Sequence, residues 1–83
     1  MSTPQQQQMD EMVQYLRGQV SEPDAVGIDV PLVSSGLVDS LALVSVLAKL
    51  EEITHRSLPL GDVQPKDLET VRVMFETAAR LGK

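Results

Sequence analysis

The chain has 83 residues, no cysteine, a single histidine and a net charge of −5. A length of this order makes one small domain that buries roughly 60–65% of its unfolded surface, with no material for a core plus a deep catalytic cleft. The lack of cysteine removes disulfides, thiolate zinc sites and a cysteine nucleophile together, and His55 alone leaves no partner for a two-histidine metal site. Tyr15 and Phe75 are the only aromatic residues, so neither a base-stacking platform nor an aromatic cage is available. No apolar run approaches the roughly 20 residues of a membrane span, and no basic-then-apolar leader opens the chain. The expected compartment is the cytoplasm.

The charge is unevenly placed. Between Arg17 and Lys49 there is no base, while Glu22, Asp24, Asp29 and Asp39 fall in that stretch and give it −4. Nucleic acid or an anionic membrane would meet an opposing field there. A partner with a basic docking face suits it, solubility being the plainer explanation.

Residues 1–8, with a run of glutamine, are expected to be a flexible lead-in to a domain over residues 9–82, although Thr3 and Pro4 can cap and start a helix. Met9, Met12, Val13, Leu16 and Val20 recur at three- and four-residue spacings, which predicts an amphipathic helix. Gly18 and the Ser21-Glu22-Pro23-Asp24 cluster place its end near Gly18 to Val20. From Ser21 to Val38 runs a long connection punctuated by Pro23, Gly27, Pro31 and Gly36. Ile28, Val30 and Leu32 are expected to turn inward, making the loop ordered. Loops this long in small domains are functional or disordered.

Asp39 can cap a second helix, accepting from the free N–H groups of the first turn. Leu41, Leu43, Val44, Val46, Leu47, Leu50 and Ile53 make that helix apolar nearly all round, as the central helix of a bundle would be. Ala42, Ser45, Lys49 and Glu52 form one small or polar stripe, the side expected to be free of the core. Thr54 to Leu60 reads as a connection, and Gly61 to Gln64 as a short turn of helix. A final helix is expected from near Pro65 to Asp67, carrying Leu68, Val71, Phe75, Ala78 and Leu81 inward and closed by Gly82. Glu69–Arg72, Arg72–Glu76 and Glu76–Arg80 can pair along its outer face. The fold class predicted is all-α: a four-helix bundle with a long ordered loop between helices 1 and 2 and a short third helix.

Ser40 is the position where these lines meet. It follows the Asp39 cap, so a group on its hydroxyl would project from a helix N-terminus, where free N–H groups favour a phosphate ester. An unmodified polar residue beside a cap is equally consistent with the residues alone.

Gly36-Leu37-Val38-Asp39-Ser40-Leu41, followed by the apolar helix through Leu50-Glu51-Glu52, resembles the acyl carrier protein family and its peptidyl and D-alanyl relatives. Leu58-Pro59 is similar to the hydrophobic-Pro pair after the second helix of that family. Residues 62–71 are similar to the segment leading into its last helix. The resemblance covers residues 9–81, and its strength lies in the combination, since Asp-Ser-Leu alone recurs by chance. It implies that Ser40 carries 4′-phosphopantetheine, whose thiol holds an acyl or aminoacyl group as a thioester. It also implies that Asp39 and Leu41 serve recognition by a phosphopantetheinyl transferase, Asp39 near that enzyme's magnesium ion. Leu41 and the stripe Ala42, Ser45, Lys49 and Glu52 would face partners. Those partners are a loading enzyme and a downstream condensing, modifying or transfer enzyme, with no nucleic acid and no membrane. The carrier would itself catalyse nothing, bind no metal and act as a monomer, delivering a tethered cargo at high effective concentration.

Carriers of fatty acid synthesis usually have acids where Ala42 and Ser45 stand, and an aromatic residue where Thr54 stands. This departure tilts the expectation toward a specialised polyketide or nonribosomal peptide pathway, with fatty-acid and D-alanyl carriers as alternatives. The apolar set Val44, Leu47, Val71 and Met74 is either a closed core or a shelter for cargo, closed being favoured for a short cargo. From other classes, an esterase would need Ser40 to meet His55, and a calcium-binding protein would need a ligand loop that is missing. A small helical adaptor with unmodified Ser40 is the remaining alternative.

Overall fold

A proline opens α1 (Pro4–Arg17), where its locked φ is already helical and its missing N–H is not required. The computed structural model describes residues 4–82, and the cap expected from Thr3 lies outside them. Residues 4–8, expected as a flexible lead-in, belong to α1. Glutamine is a good helix former, and Gln8 Nε2 donates to the Ile53 carbonyl at 3.3 Å, tying the start of the helix to the rest of the fold. Met9, Met12, Val13 and Leu16 are buried along one face. The helix closes with tighter bonds, Gly18 N–H to Tyr15 O at 3.1 Å and Gln19 N–H to Leu16 O at 2.9 Å.

The connection to the second helix contains one short 3-10 turn, Pro23–Ala25, and is ordered by burial. Val26, Leu32 and Val38 are its core residues, while Ile28 and Val30 are only half-buried. Arg17 Nη2 donates to the Val26 carbonyl at 3.2 Å and fastens the loop to the end of α1.

Helix α2 (Ser40–Thr54) buries Val46, Leu47, Leu50 and Ile53. Val44, read from sequence as core, is 63% exposed. The residues around α2 are apolar on nearly every side, so their pattern did not orient it; only packing does. Its C-cap is His55 at φ 56, a left-handed position that glycine usually fills.

Where a short third helix was expected, the chain makes two 3-10 turns, Leu60–Asp62 and Pro65–Leu68. Glu51 turns back to accept from the Leu58 N–H at 2.8 Å, which anchors the start of this segment. Asp67 is buried: Oδ2 accepts from Gln64 N–H at 2.9 Å, and Oδ1 lies 3.4 Å from Arg80 Nη2. The last helix, α3 (Val71–Leu81), begins later than the Pro65-to-Asp67 start expected. Thr70 sets the boundary, since its hydroxyl accepts from Val73 N–H at 3.1 Å as an N-cap. Gly82 closes α3 as expected, its N–H on the Ala78 carbonyl at 2.8 Å. A Cβ there would run into that carbonyl and the Arg56 side chain.

The architecture is all-α, with three α-helices and no strand among the described residues. Val71 and Met74 of α3 are fully buried in one core with the inward residues of α1 and α2. No described helix is long and apolar enough to cross a membrane. Leu47→Ala is expected to lower stability by about 2–5 kcal/mol through lost contacts and a cavity, whereas Val44→Ala changes it by no more than about 0.5 kcal/mol. Paired thermal melts check the contrast, and equal losses would mean that α2 is rotated from the orientation described.

Candidate functional site

The N-terminus of α2 is built by its cap. Asp39 is extended, at φ −89 and ψ 173, and its Oδ1 accepts from Ala42 N–H at 2.8 Å. This fixes one of the helix's orphan donors. Asp39 Oδ2 has no hydrogen bond among the described residues. Ser40 is the first helical residue, is exposed, and its hydroxyl has no partner among the described residues. The N–H groups of Ser40 and Leu41 also lack an acceptor there. The site therefore offers an accessible hydroxyl beside two open N–H donors, a setting that accepts a phosphate ester on Ser40 without displacing any bond.

The approach to Ser40 is equally defined. Val38 N–H donates to Leu32 O at 2.9 Å, and Leu32 N–H donates to Glu69 O at 2.7 Å. Gly36 has φ 83, with its N–H on Val33 O at 3.1 Å, so the turn uses glycine's freedom at this point. Farther back, Arg72 N–H donates to Ile28 O at 3.1 Å, and its guanidinium makes two bonds to Asp29, at 2.6 and 3.0 Å. The two guanidinium–carboxylate bonds, with the guanidinium charge, hold the Asp29 carboxyl below its usual range; the same bonds, with the carboxylate charge, raise Arg72 above its own.

The residues expected to face partners fall into two groups. Leu41 is 85% exposed, and Ser45 and Glu52 are exposed with it. Ala42 is half-buried and packs on the core. Lys49 is drawn inward, its Nζ 5.5 Å from the Tyr15 ring centre and 3.5 Å from Glu52 Oε1. The open face of α2 is therefore Leu41, Val44, Ser45, Ala48 and Glu52. Sequence reasoning missed Ala48 and Val44; their spacing from Leu41 was the available signal. Beside this face, Leu43, Val44, Leu47, Val63, Gln64, Pro65 and Leu68 line an apolar groove of about 140 Å³. Val71 and Met74, read as either closed core or shelter, are in the closed core.

The expected pairs along α3 give way to longer-range partners. Arg72 turns to Asp29 and Arg80 to Asp67, because Asp29 follows Ile28, whose carbonyl already holds the Arg72 N–H, and Asp67 lies in the turn packed against α3. His55 caps the opposite end of α2 from Ser40. At a rise of 1.5 Å per residue the two lie roughly 20 Å apart, so they do not form a serine–histidine pair.

Comparison with protein-family models, curated proteins and solved structures finds no match to this chain. The site must be read from its own geometry.

The Asp29–Arg72 pair generates a pH prediction. A carboxyl depressed in the folded state stabilises it above the unfolded pKa, about 3.9, and that contribution is lost as pH falls through the depressed value. Wild type is therefore expected to melt slightly above Asp29→Asn at neutral pH, the pair being exposed. As pH falls through the depressed value of the Asp29 carboxyl the two curves should converge. A gap that persists in acid would show that the pair is not its source.

Proposed function

We propose that the chain is a carrier protein of the acyl carrier type, with Ser40 as the acceptor of 4′-phosphopantetheine. The observation that supports this most is Ser40 itself, an uncommitted, exposed hydroxyl on the first residue of a capped helix. Once attached, 4′-phosphopantetheine supplies a terminal thiol that holds an acyl or aminoacyl group as a thioester, chemistry that a chain without cysteine lacks. In attachment, Ser40 Oγ forms a bond to the phosphorus of coenzyme A nearest the pantetheine. The P–O bond to 3′,5′-adenosine diphosphate breaks, and the hydroxyl proton passes to a base on the phosphopantetheinyl transferase. Asp39 Oδ2 is free to serve that enzyme's magnesium ion while Oδ1 keeps the helix capped.

On this proposal the two 3-10 turns over residues 60–62 and 65–68 take the place of the short third helix of a carrier-like four-helix bundle. The chain works as a cytoplasmic monomer and catalyses nothing. It receives its cargo from a loading enzyme and delivers it to a condensing, modifying or transfer enzyme. A specialised polyketide or nonribosomal peptide pathway is favoured over fatty acid synthesis or D-alanyl transfer, because the open face of α2 is apolar at Leu41, Val44 and Ala48. Two acids otherwise available to a basic partner are engaged within the fold, Asp29 with Arg72 and Glu51 with Leu58 N–H. The exposed Leu41 and Val44 also suit a helical adaptor with unmodified Ser40.

Intact mass after incubation with a broad-specificity phosphopantetheinyl transferase and coenzyme A separates the two. A carrier gains the arm, and Ser40→Ala stays folded and gains nothing. Mass gain in Ser40→Ala, or on Ser34, Ser35 or Ser45, would overturn the assignment. With a cognate enzyme, Leu41→Ala is expected to reduce transfer more than Glu52→Gln, since exposed ion pairs contribute only about 0–1 kcal/mol each. Transfer that falls steeply with salt and ignores Leu41→Ala would instead indicate recognition through surface acids.

A further inference from the structure

Glu69 grips the long loop twice. Its backbone carbonyl accepts from Leu32 N–H at 2.7 Å. Its carboxylate accepts from Ser34, with Oε1 at 3.0 Å from the N–H and 2.6 Å from Oγ, and Oε2 at 3.3 Å from the same N–H. Bonds to an ionised acceptor are the stronger kind, and these join residues 35 positions apart. The clasped turn is closed at its neck by Val38 N–H on Leu32 O, at 2.9 Å. Inside it, Ser35 Oγ donates toward the carbonyls of Pro31 and Leu32, and Leu37 N–H reaches Ser35 Oγ at 3.4 Å. Val38 is buried, and Asp39 and Ser40 follow it directly. The position of Ser34 is thus passed through a closed turn to the approach to Ser40.

We propose that the Glu69 carboxylate is a positioning residue for Ser40. By clasping Ser34 it holds the Leu32–Val38 turn in the form that a modifying enzyme must grip. This inference rests on the carrier proposal. Glu69 touches neither the hydroxyl nor the incoming phosphorus; it acts through Ser34. A turn ordered before the encounter does not lose its freedom on binding, so removal of the clasp weakens recognition more than chemistry.

Two explanations of a Glu69 effect can be told apart. If a partner reads Glu69 as a surface charge, any neutral replacement is equally harmful. If Glu69 positions the turn, Glu69→Gln retains a carbonyl oxygen at the end of the same side chain, able to accept from both Ser34 donors. Glu69→Ala retains neither acceptor, while the Leu32 N–H bond to the backbone and the Asp29–Arg72 pair both remain available.

The test compares full-length wild type, Glu69→Ala, Glu69→Gln and Ser34→Ala. One readout is the rate of Ser40 Oγ–phosphorus bond formation from coenzyme A, followed by intact mass. The other is amide hydrogen exchange without any enzyme. Glu69→Ala is expected to keep its helical circular dichroism and to lose about tenfold in kcat/KM, equivalent to ~1.4 kcal/mol, mainly through KM. Exchange should quicken at Ser34, Leu37 and Val38. Glu69→Gln should recover most of both effects, and Ser34→Ala should show part of them. Wild-type rates and exchange in Glu69→Ala would overturn the inference, as would Glu69→Gln being as impaired as Glu69→Ala with native exchange. If Glu69→Ala does not fold, Ser34→Ala and Glu69→Gln decide by the same criteria. A wild-type chain that accepts no arm removes the carrier proposal and this inference together. A modified wild type matched by all three variants removes the inference alone.

Discussion

A small all-helical domain that gives a long stretch of chain to an irregular connection faces a specific difficulty. Backbone N–H and C=O groups inside a helix satisfy one another, but those of a loop must find partners elsewhere or stay in water. Leu32 shows how the difficulty is met. Its side chain is fully buried, its N–H is taken by the Glu69 carbonyl, and its own carbonyl receives the Val38 N–H. The loop can therefore enter the core at its middle without stranding a polar group there. Burial of Leu32 needs the turn that precedes α3, and order in the loop needs Leu32. The exposed placement of Ser40 follows from both.

Five of the twelve acidic side chains serve this architecture directly. Asp39 caps α2, Asp67 joins the Gln64 turn to Arg80, Glu51 holds the Leu58 N–H, and Asp29 and Glu69 bind the loop. An N–H held by a carboxylate is a strong local restraint, and it needs no apolar volume, which a domain of this size has little of. The exposed apolar edge of α2, beginning at Leu41, lies outside this framework.

The parts of the fold legible in sequence are those governed by neighbours in the chain. The buried face of α1 appears in the spacing of Met9, Met12, Val13 and Leu16, and the Asp39 cap and Gly82 stop are local signals. The candidate site was legible for the same reason, since Ser40 is defined by its cap and its approach. Other features depend on residues far away in sequence. The exposure of Val44 could not be read because α2 is apolar on nearly every side. Thr70, rather than Pro65, starts α3 because Asp67 and Gln64 close a separate turn. Arg72 and Arg80 choose Asp29 and Asp67 over their helical neighbours through tertiary placement. Ser34 and Glu69 are ordinary polar residues until the fold brings them together.

The bonds that order the loop also set a sequence of events during folding. Leu32 and Ser34 pair with Glu69, and Ile28 and Asp29 with Arg72, so every one of these closures waits for the last part of the chain. Contacts of such long separation form only after the entropy of closing the intervening chain has been met. Helix α1, the first turns of α2 and the Asp39 cap can form from local residues; the attachment of the loop to Glu69 and Arg72 cannot. During synthesis, a nascent chain that has emerged only through α2 displays the serine without its frame. Completion of the segment around Glu69 and Arg72 supplies that frame.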